Sequence, residues 1–304
     1  MQLTLEVAPV LRSIGVLFAV MFAGFFYKSC LRKFRWYSFT ARTLFDIVYW
    51  VLTPLTFIKS FSATGVTSVL LFPFVALTAN LIAAGSIVWR MDFGDGQTKR
   101  IVLIHSVNQN NLFIGYPVLY SAFGNATMSL YFGLVAFVYT ILVPDIIGNG
   151  KPSMRTFLVN PVILGFAFGN VIHYAVPSVA WHVPYLLFWT SNALVYLSIF
   201  VMGMQLSFSA RVLKGKLRHA LYVIGLMRFV LNPLIYVPFI FIFRLPRLFA
   251  YESLLLGIMP PATLNTVMAL KYKWDPEFAS SSTLILTVIS LALATGLIIG
   301  FNAM

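Results

Sequence analysis

Ten apolar runs follow one another along this chain, at about 8–27, 39–60, 66–89, 101–123, 126–147, 157–176, 186–206, 220–243, 248–270 and 278–301. A helix needs roughly 20 mostly apolar residues to cross about 30 Å of hydrocarbon, and each run approaches that length. The connections are no longer than about a dozen residues, which leaves no room for a water-soluble domain. Of the 304 residues, 60% are hydrophobic and 10% charged, with a mean hydropathy of +0.89. Soluble chains carry about 25% charged residues, so this balance argues against a soluble enzyme, a disordered chain or a disulfide scaffold. The single cysteine, Cys30, excludes an internal disulfide and a cysteine-based metal cluster. The expected fold is therefore an all-α integral membrane protein with ten transmembrane helices. The first run is followed by a basic flank and reads as a permanent helix rather than a cleaved signal peptide.

The net charge of +13 would otherwise point to nucleic acid. Position argues against it. Sixteen of the 21 Lys and Arg lie in the loops after odd-numbered runs, from Lys28, Arg32 and Lys33 through Arg90, Lys151, Arg155 and Arg218 to Lys271 and Lys273. Only Arg12, Lys59, Arg244 and Arg247 lie on the opposite side. The positive-inside rule makes the odd loops cytoplasmic and both termini non-cytoplasmic. The expected partners are the lipid bilayer and a small solute, with no nucleic acid. Trp36, Trp50, Trp89, Trp181, Trp189 and Trp274 fall near run ends, as an interfacial belt requires.

The loop holding Gly148, Gly150, Lys151 and Pro152 divides the ten runs into two five-helix halves, 1–147 and 157–304. Two copies of an odd-numbered unit in one chain insert with opposite topology, giving a 5+5 inverted repeat of the kind common in secondary transporters. The fourth and ninth runs, which correspond in that scheme, are both interrupted. The fourth carries Asn108, Gln109, Asn110 and Asn111, then Gly115-Tyr116-Pro117; the ninth carries Gly257, Pro260-Pro261, Thr263 and Asn265. Proline removes a backbone donor and clashes with the carbonyl four residues back. In hydrocarbon the freed groups must find partners or line a cavity. About 11 residues flank Pro260-Pro261 on each side, about 16 Å at 1.5 Å per residue, so the break falls near mid-membrane. A lone membrane proline usually marks a structural kink. Two breaks with asparagine clusters in matching runs point instead to a substrate site. Asn108, Asn110, Asn111, Tyr116, Pro117, Pro260, Pro261, Thr263 and Asn265 are its candidate residues. Asn110, Asn111 and Asn265 would offer neutral hydrogen bonds. Helix N-termini at Pro117 and Pro260 would offer positive dipole ends for a carboxylate.

These segments resemble the auxin efflux carrier family, which includes the PIN-type plant transporters and bacterial and archaeal relatives. Asn110, Gly115 and Pro117 fall on its N-x-x-x-x-G-x-P element. Asn160-Pro161 is similar to its sixth-helix start. Pro260, Ala262, Ala269, Tyr272, Asp275, Ala279 and Ser280 follow its pattern through the ninth and tenth helices. The resemblance implies crossed broken helices 4 and 9, a scaffold of helices 1, 2, 6 and 7, and a transport domain of helices 3–5 and 8–10. It implies alternating access and organic-anion substrates, either auxin-like indole acids or small dicarboxylates. A homodimer is implied by the resemblance alone. The chain departs from the plant members in its short mid-chain loop, in Asn265 where a crossing proline stands, and in offering only Asn80 from the third run.

Charge inside a membrane is costly and marks function by default. Arg228 reads either as a counter-charge for an anionic substrate or as a side chain snorkelling to the interface. Asp46 reads as a proton or cation site, or as the partner of Arg42 one turn away. His105 reads as a proton carrier or as a packing histidine. Glu252 is expected to pair with Arg244 or Arg247, and Asp145 to face water. No residues have catalytic or metal-ligand spacing, so neither an enzyme nor a metal cofactor is expected. Coupling to H+ or Na+ is left open. The expected function is a secondary transporter moving an organic anion by alternating access. The alternative is a non-transporting ligand sensor or receptor.

Overall fold

The computed structural model describes residues 7–148, 150 and 158–302. Lys151, Pro152, Arg155 and the Phe157 that opens the second expected half lie outside the described residues. The elements are α1 Val7–Leu31, α2 Arg35–Asp46, α3 Thr53–Thr64, α4 Leu71–Arg90, α5 Gly96–Val107, α6 Tyr116–Phe123, α7 Thr127–Ile147 and α8 Pro161–Ala175. Then come the single turns α9 Pro177–Ala180 and α10 Val183–Leu186, followed by α11 Phe188–Gln205, α12 Gly215–Leu226, α13 Asn232–Ile242, α14 Arg247–Gly257, α15 Leu264–Lys271 and α16 Pro276–Asn302.

Three joins are π-turns, and proline explains them. Ile47–Leu52, Asn111–Gly115 and Met227–Leu231 each lead into a helix whose second residue is proline: Pro54, Pro117 and Pro233. In all three the N–H just before the proline bonds the carbonyl five residues back, Thr53 to Val48, Tyr116 to Asn111 and Asn232 to Met227. The wider turn moves the proline ring off the carbonyl it would strike and keeps the backbone bonded.

The protein is an integral, multi-pass, all-α membrane protein, but it does not carry ten spans in a 5+5 inverted repeat. Among the described residues six helical stretches are long and apolar enough to cross: Arg12–Leu31, Trp36–Thr64, Ser68–Arg90, Thr127–Ile147, Gly215–Ile242 and Pro276–Phe301. A seventh is added if Pro161–Ala175 and Pro177–Leu186, bent by 118°, form one span. The expected fourth and ninth spans fail on length. Their interruptions end the helices, leaving Gly96–Val107 and the continuous run from Asn111 to Phe123 in one case, and Arg247–Gly257 and Leu264–Lys271 in the other. At 1.5 Å per residue each piece reaches at most about 20 Å, short of the hydrocarbon thickness. In α11, Thr190, Ser191, Asn192 and Gln205 dilute an 18-residue helix. Exposed side chains such as Phe39, Phe241 and Trp181 are suited to lipid contact rather than water. Trp274 does not join the interfacial belt; it is buried and stacked on Tyr272.

The chain divides into two compact units, one of Met1–Ile14, Leu71–Pro152 and Leu206–Met304, the other of Gly15–Leu70 and Ser153–Gln205. In the second unit α8 packs closely along α3. A Cβ at Gly165 would lie 2.7 Å from the Cα and carbonyl oxygen of Pro54, and one at Gly169 would lie 2.9 Å from Phe61 Cβ. Small residues one turn apart let two helix backbones approach in lipid. Asn160 caps α8, its Oδ1 accepting from Val162 N at 2.9 Å with Pro161 in the first position. Asp46 belongs to this unit. It is half-exposed at the end of α2 and lies 3.8 Å from Arg42, which favours the pairing reading of that residue. The candidate site lies wholly in the first unit.

Candidate functional site at the helix crossing

After α5 the chain leaves helix through 108–110, and after α14 through 258–263. Met259 and Pro260 each precede a proline, which disfavours helical backbone. The two stretches pair as a short antiparallel bridge, Gln109 opposite Pro261. Asn110 N donates to Pro260 O and Ala262 N to Asn108 O, both at 2.9 Å. Backbone groups freed by the interruptions thus satisfy one another inside the bundle.

Side chains lock the crossing. Asn108 Nδ2 donates to Asn265 Oδ1 at 3.1 Å. Asn265 Nδ2 in turn reaches Ile104 O at 3.2 Å and His105 Nδ1 at 3.4 Å. His105 Nε2 faces Ala279 O at 3.0 Å. A carbonyl only accepts, so the ring is the Nε2–H tautomer with Nδ1 accepting. His105 therefore joins α5, α15 and α16. Asn265 spends both ends of its amide on the protein. It clasps the crossing rather than offering a hydrogen bond to a ligand.

Other atoms at the crossing have no partner. Asn108, Gln109, Asn110 and Asn111 are all at most 4% exposed. Asn108 Oδ1, Gln109 Oε1 and both amide atoms of Asn111 are buried without a hydrogen bond. Asn110 is committed locally, its Oδ1 accepting from Phe113 N at 3.2 Å as the cap of the π-turn. Pro117 lies inside the helical run that starts at Asn111, so the N-terminus facing the break is at Asn111, not at Pro117. Pro260 and Pro261 form the bridge, and α15 begins only at Leu264 with Thr263 giving no side-chain cap. Tyr116 is buried and stacks on Tyr120, ring centroids 5.7 Å apart.

Arg228 sits in the Met227–Leu231 π-turn with 0% of its surface exposed. Its Nη2 donates to Asn108 O, the carbonyl that also accepts Ala262 N. Its Nε and Nη1 have no partner, and no carboxylate pairs with it among the described residues. The side chain does not snorkel; it turns inward onto the crossing. The three N–H bonds of Nε and Nη1 are left without an acceptor.

Compared with known proteins, the chain matches no family model and no curated sequence.

Sequence reading missed the second ring of this site. Tyr236 is fully buried on α13, and its hydroxyl accepts from Gln109 Nε2 and, at 3.2 Å, from Asn80 Nδ2. Asn232 Nδ2 reaches Ser106 O at 3.2 Å. Ser290 donates to Ile258 O at 2.7 Å. The available signal was a polar residue at a helix-compatible position within an apolar run, with Asn232-Pro233 the clearest case. Two charged residues also differ from expectation. Asp145 does not face water: it is 2% exposed and accepts from Lys271 Nζ at 2.7 Å and from the Tyr272 hydroxyl. Glu252 pairs with neither Arg244 nor Arg247 but accepts from Met128 N at 2.9 Å. Among the described residues no three His, Cys, Asp or Glu side chains gather as metal ligands.

Proposed function

We propose that this chain is a secondary transporter that carries a small organic anion, exposing the helix crossing to one face of the membrane and then the other. The observation that carries the reading is Arg228. A guanidinium keeps its proton in any protein setting. Burying it without a counter-charge costs several kcal/mol. A carboxylate arriving at Nε and Nη1 would supply the missing acceptors and neutralise the charge. The unpartnered Asn111 amide would add a neutral donor beside a helix N-terminus, where negative charge is favoured. The architecture, a multi-pass helical membrane protein with interrupted helices in its interior, is of the general kind transporters use. Membership of the auxin efflux carrier family is part of the proposal, supported by the residues of the crossing that match that family's pattern.

Counterflow in proteoliposomes with labelled mono- and dicarboxylates tests it. Saturable exchange of at least one carboxylate, weakened by Arg228→Gln and Asn111→Ala, is the expected result. Saturable binding without exchange would make the protein a sensor or receptor instead. No binding of any carboxylate would sink both readings.

A further inference from the structure

Glu252 is fully buried within α14. Its Oε2 accepts the Met128 N–H at 2.9 Å and its Oε1 has no partner. Arg247, five residues earlier, donates instead to the Tyr251 hydroxyl at 2.6 Å. No ion pair among the described residues includes Glu252.

The elements packed against α14 bring it no charge. Among the described residues the principal ones are α7, α13, α16 and the Asn111–Gly115 π-turn. α7 meets Glu252 at its first turn; its one charged residue, Asp145, lies near its far end and is bonded to Lys271, and its tyrosines are Tyr131 and Tyr139. α13 contributes Tyr236, whose hydroxyl is engaged by Gln109 and Asn80. α16 stacks Phe301 on Tyr251, so its Glu277 lies most of a helix length away. The π-turn has no titratable side chain.

We infer that Glu252 is a proton-binding site, and that the anion crosses together with one proton carried there. This rests on the transport reading above. An ionised carboxylate offers about four lone-pair sites, and here only one N–H meets them. Removing that charge from water costs more than one hydrogen bond and a helix terminus return. The neutral acid leaves a single O–H unmatched. Loss of the proton therefore requires water to reach Oε1, and so requires the packing around it to open. The proton site and the crossing share a support: Glu252 holds Met128 and the Asn111 carbonyl accepts from Ser129 Oγ at 2.6 Å, on successive residues of α7. Opening at one disturbs the other.

The rival account is a structural cap, since Ala126 at the N-cap of α7 has no side-chain acceptor. Glutamine caps equally well, so Glu252→Gln separates the two. In proteoliposomes with the membrane potential clamped at zero, a one-unit pH difference should shift the steady-state anion ratio of the wild type about tenfold. Glu252→Gln should keep counterflow and lose that shift. Infrared difference spectra at neutral pH, which need no substrate, should show the carbonyl stretch of a protonated carboxylic acid in the wild type and not in Glu252→Gln. A missing band, or a tenfold shift retained by Glu252→Gln, overturns the proposal. Wild-type counterflow that ignores pH overturns the coupling alone. Absence of counterflow in both proteins overturns the transport reading and the coupling with it.

Discussion

Asn108 and Asn265, 157 positions apart, are joined by a side-chain hydrogen bond of 3.1 Å across the two interrupted segments. Asn265 is the hub of that contact, because its amide also holds the Ile104 carbonyl and the His105 ring. Asn265→Ala should take the partner from Asn108 Nδ2 and from His105 Nδ1, while Ile104 O keeps the Asn108 N–H. The expected cost is about 1–3 kcal/mol of stability, with a fall in transport rate as the crossing loosens. Thermal unfolding in detergent, read beside counterflow, checks it; unchanged stability would show that the clasp contributes nothing.

Arg228→Lys keeps the charge but not the fork. An ammonium that reaches the Asn108 carbonyl has no planar pair of donors left for a carboxylate. Charge-assisted hydrogen bonds contribute about 1.5–3 kcal/mol, so carboxylate affinity should fall roughly 10- to 100-fold. Arg228→Gln, which also loses the charge, should weaken it further. Binding titrations on the purified protein decide the matter, and wild-type affinity in the lysine variant would remove Arg228 from the site.

Gly165→Val should destabilise the α3–α8 contact. The added Cβ meets the Pro54 backbone at 2.7 Å, and backbone cannot rotate aside as a flexible side chain can. Overpacking of this kind costs about 1–3 kcal/mol. Gly15→Ala is the matched control: nothing lies within 4 Å of its Cβ, and helix propensity favours alanine by up to about 1 kcal/mol. Opposite shifts in melting temperature are expected from the two variants.

Two ion pairs predict where pH acts. The hydrogen bond from Lys216, with the Gly94 N–H, holds the Asp92 carboxyl below its ordinary 3.8. The hydrogen bond to Asp145 holds the Lys271 ammonium above its ordinary 10.5. A depressed acid stabilises fully above 3.8 and loses its contribution as pH falls through its folded value. A raised lysine stabilises fully below 10.5 and loses its contribution as pH rises through its folded value. The stability difference between wild type and Lys216→Met or Lys271→Met should therefore be flat between about pH 5 and 9. A slope inside that window would mean that neither lysine acts through its carboxylate.

Much of the crossing was legible before any coordinates. The asparagine run at 108–111 and Pro260-Pro261 are conspicuous because polar and helix-breaking residues are rare in apolar runs, and the structure brings those two places together. Arg228 stood out as a lone charge among apolar neighbours. The helix count was not legible. Hydropathy counts apolar residues, while a span depends on where the hydrogen-bond ladder stops, and the breaks at Asn108 and Ile258 leave pieces too short to cross.

What the chain determined by itself is its solvent. Its apolar runs, sparse charge and basic loops require a bilayer, and its proline positions fix where helices widen or stop, because both follow from local chemistry. Only the tertiary structure decided the partners. Asn265 became a clasp, Tyr236 an acceptor for two amides, and Glu252 of α14 a buried acid bonded to the first turn of α7. A hydrogen bond between residues more than a hundred positions apart depends on how helices pack, and no local pattern records it.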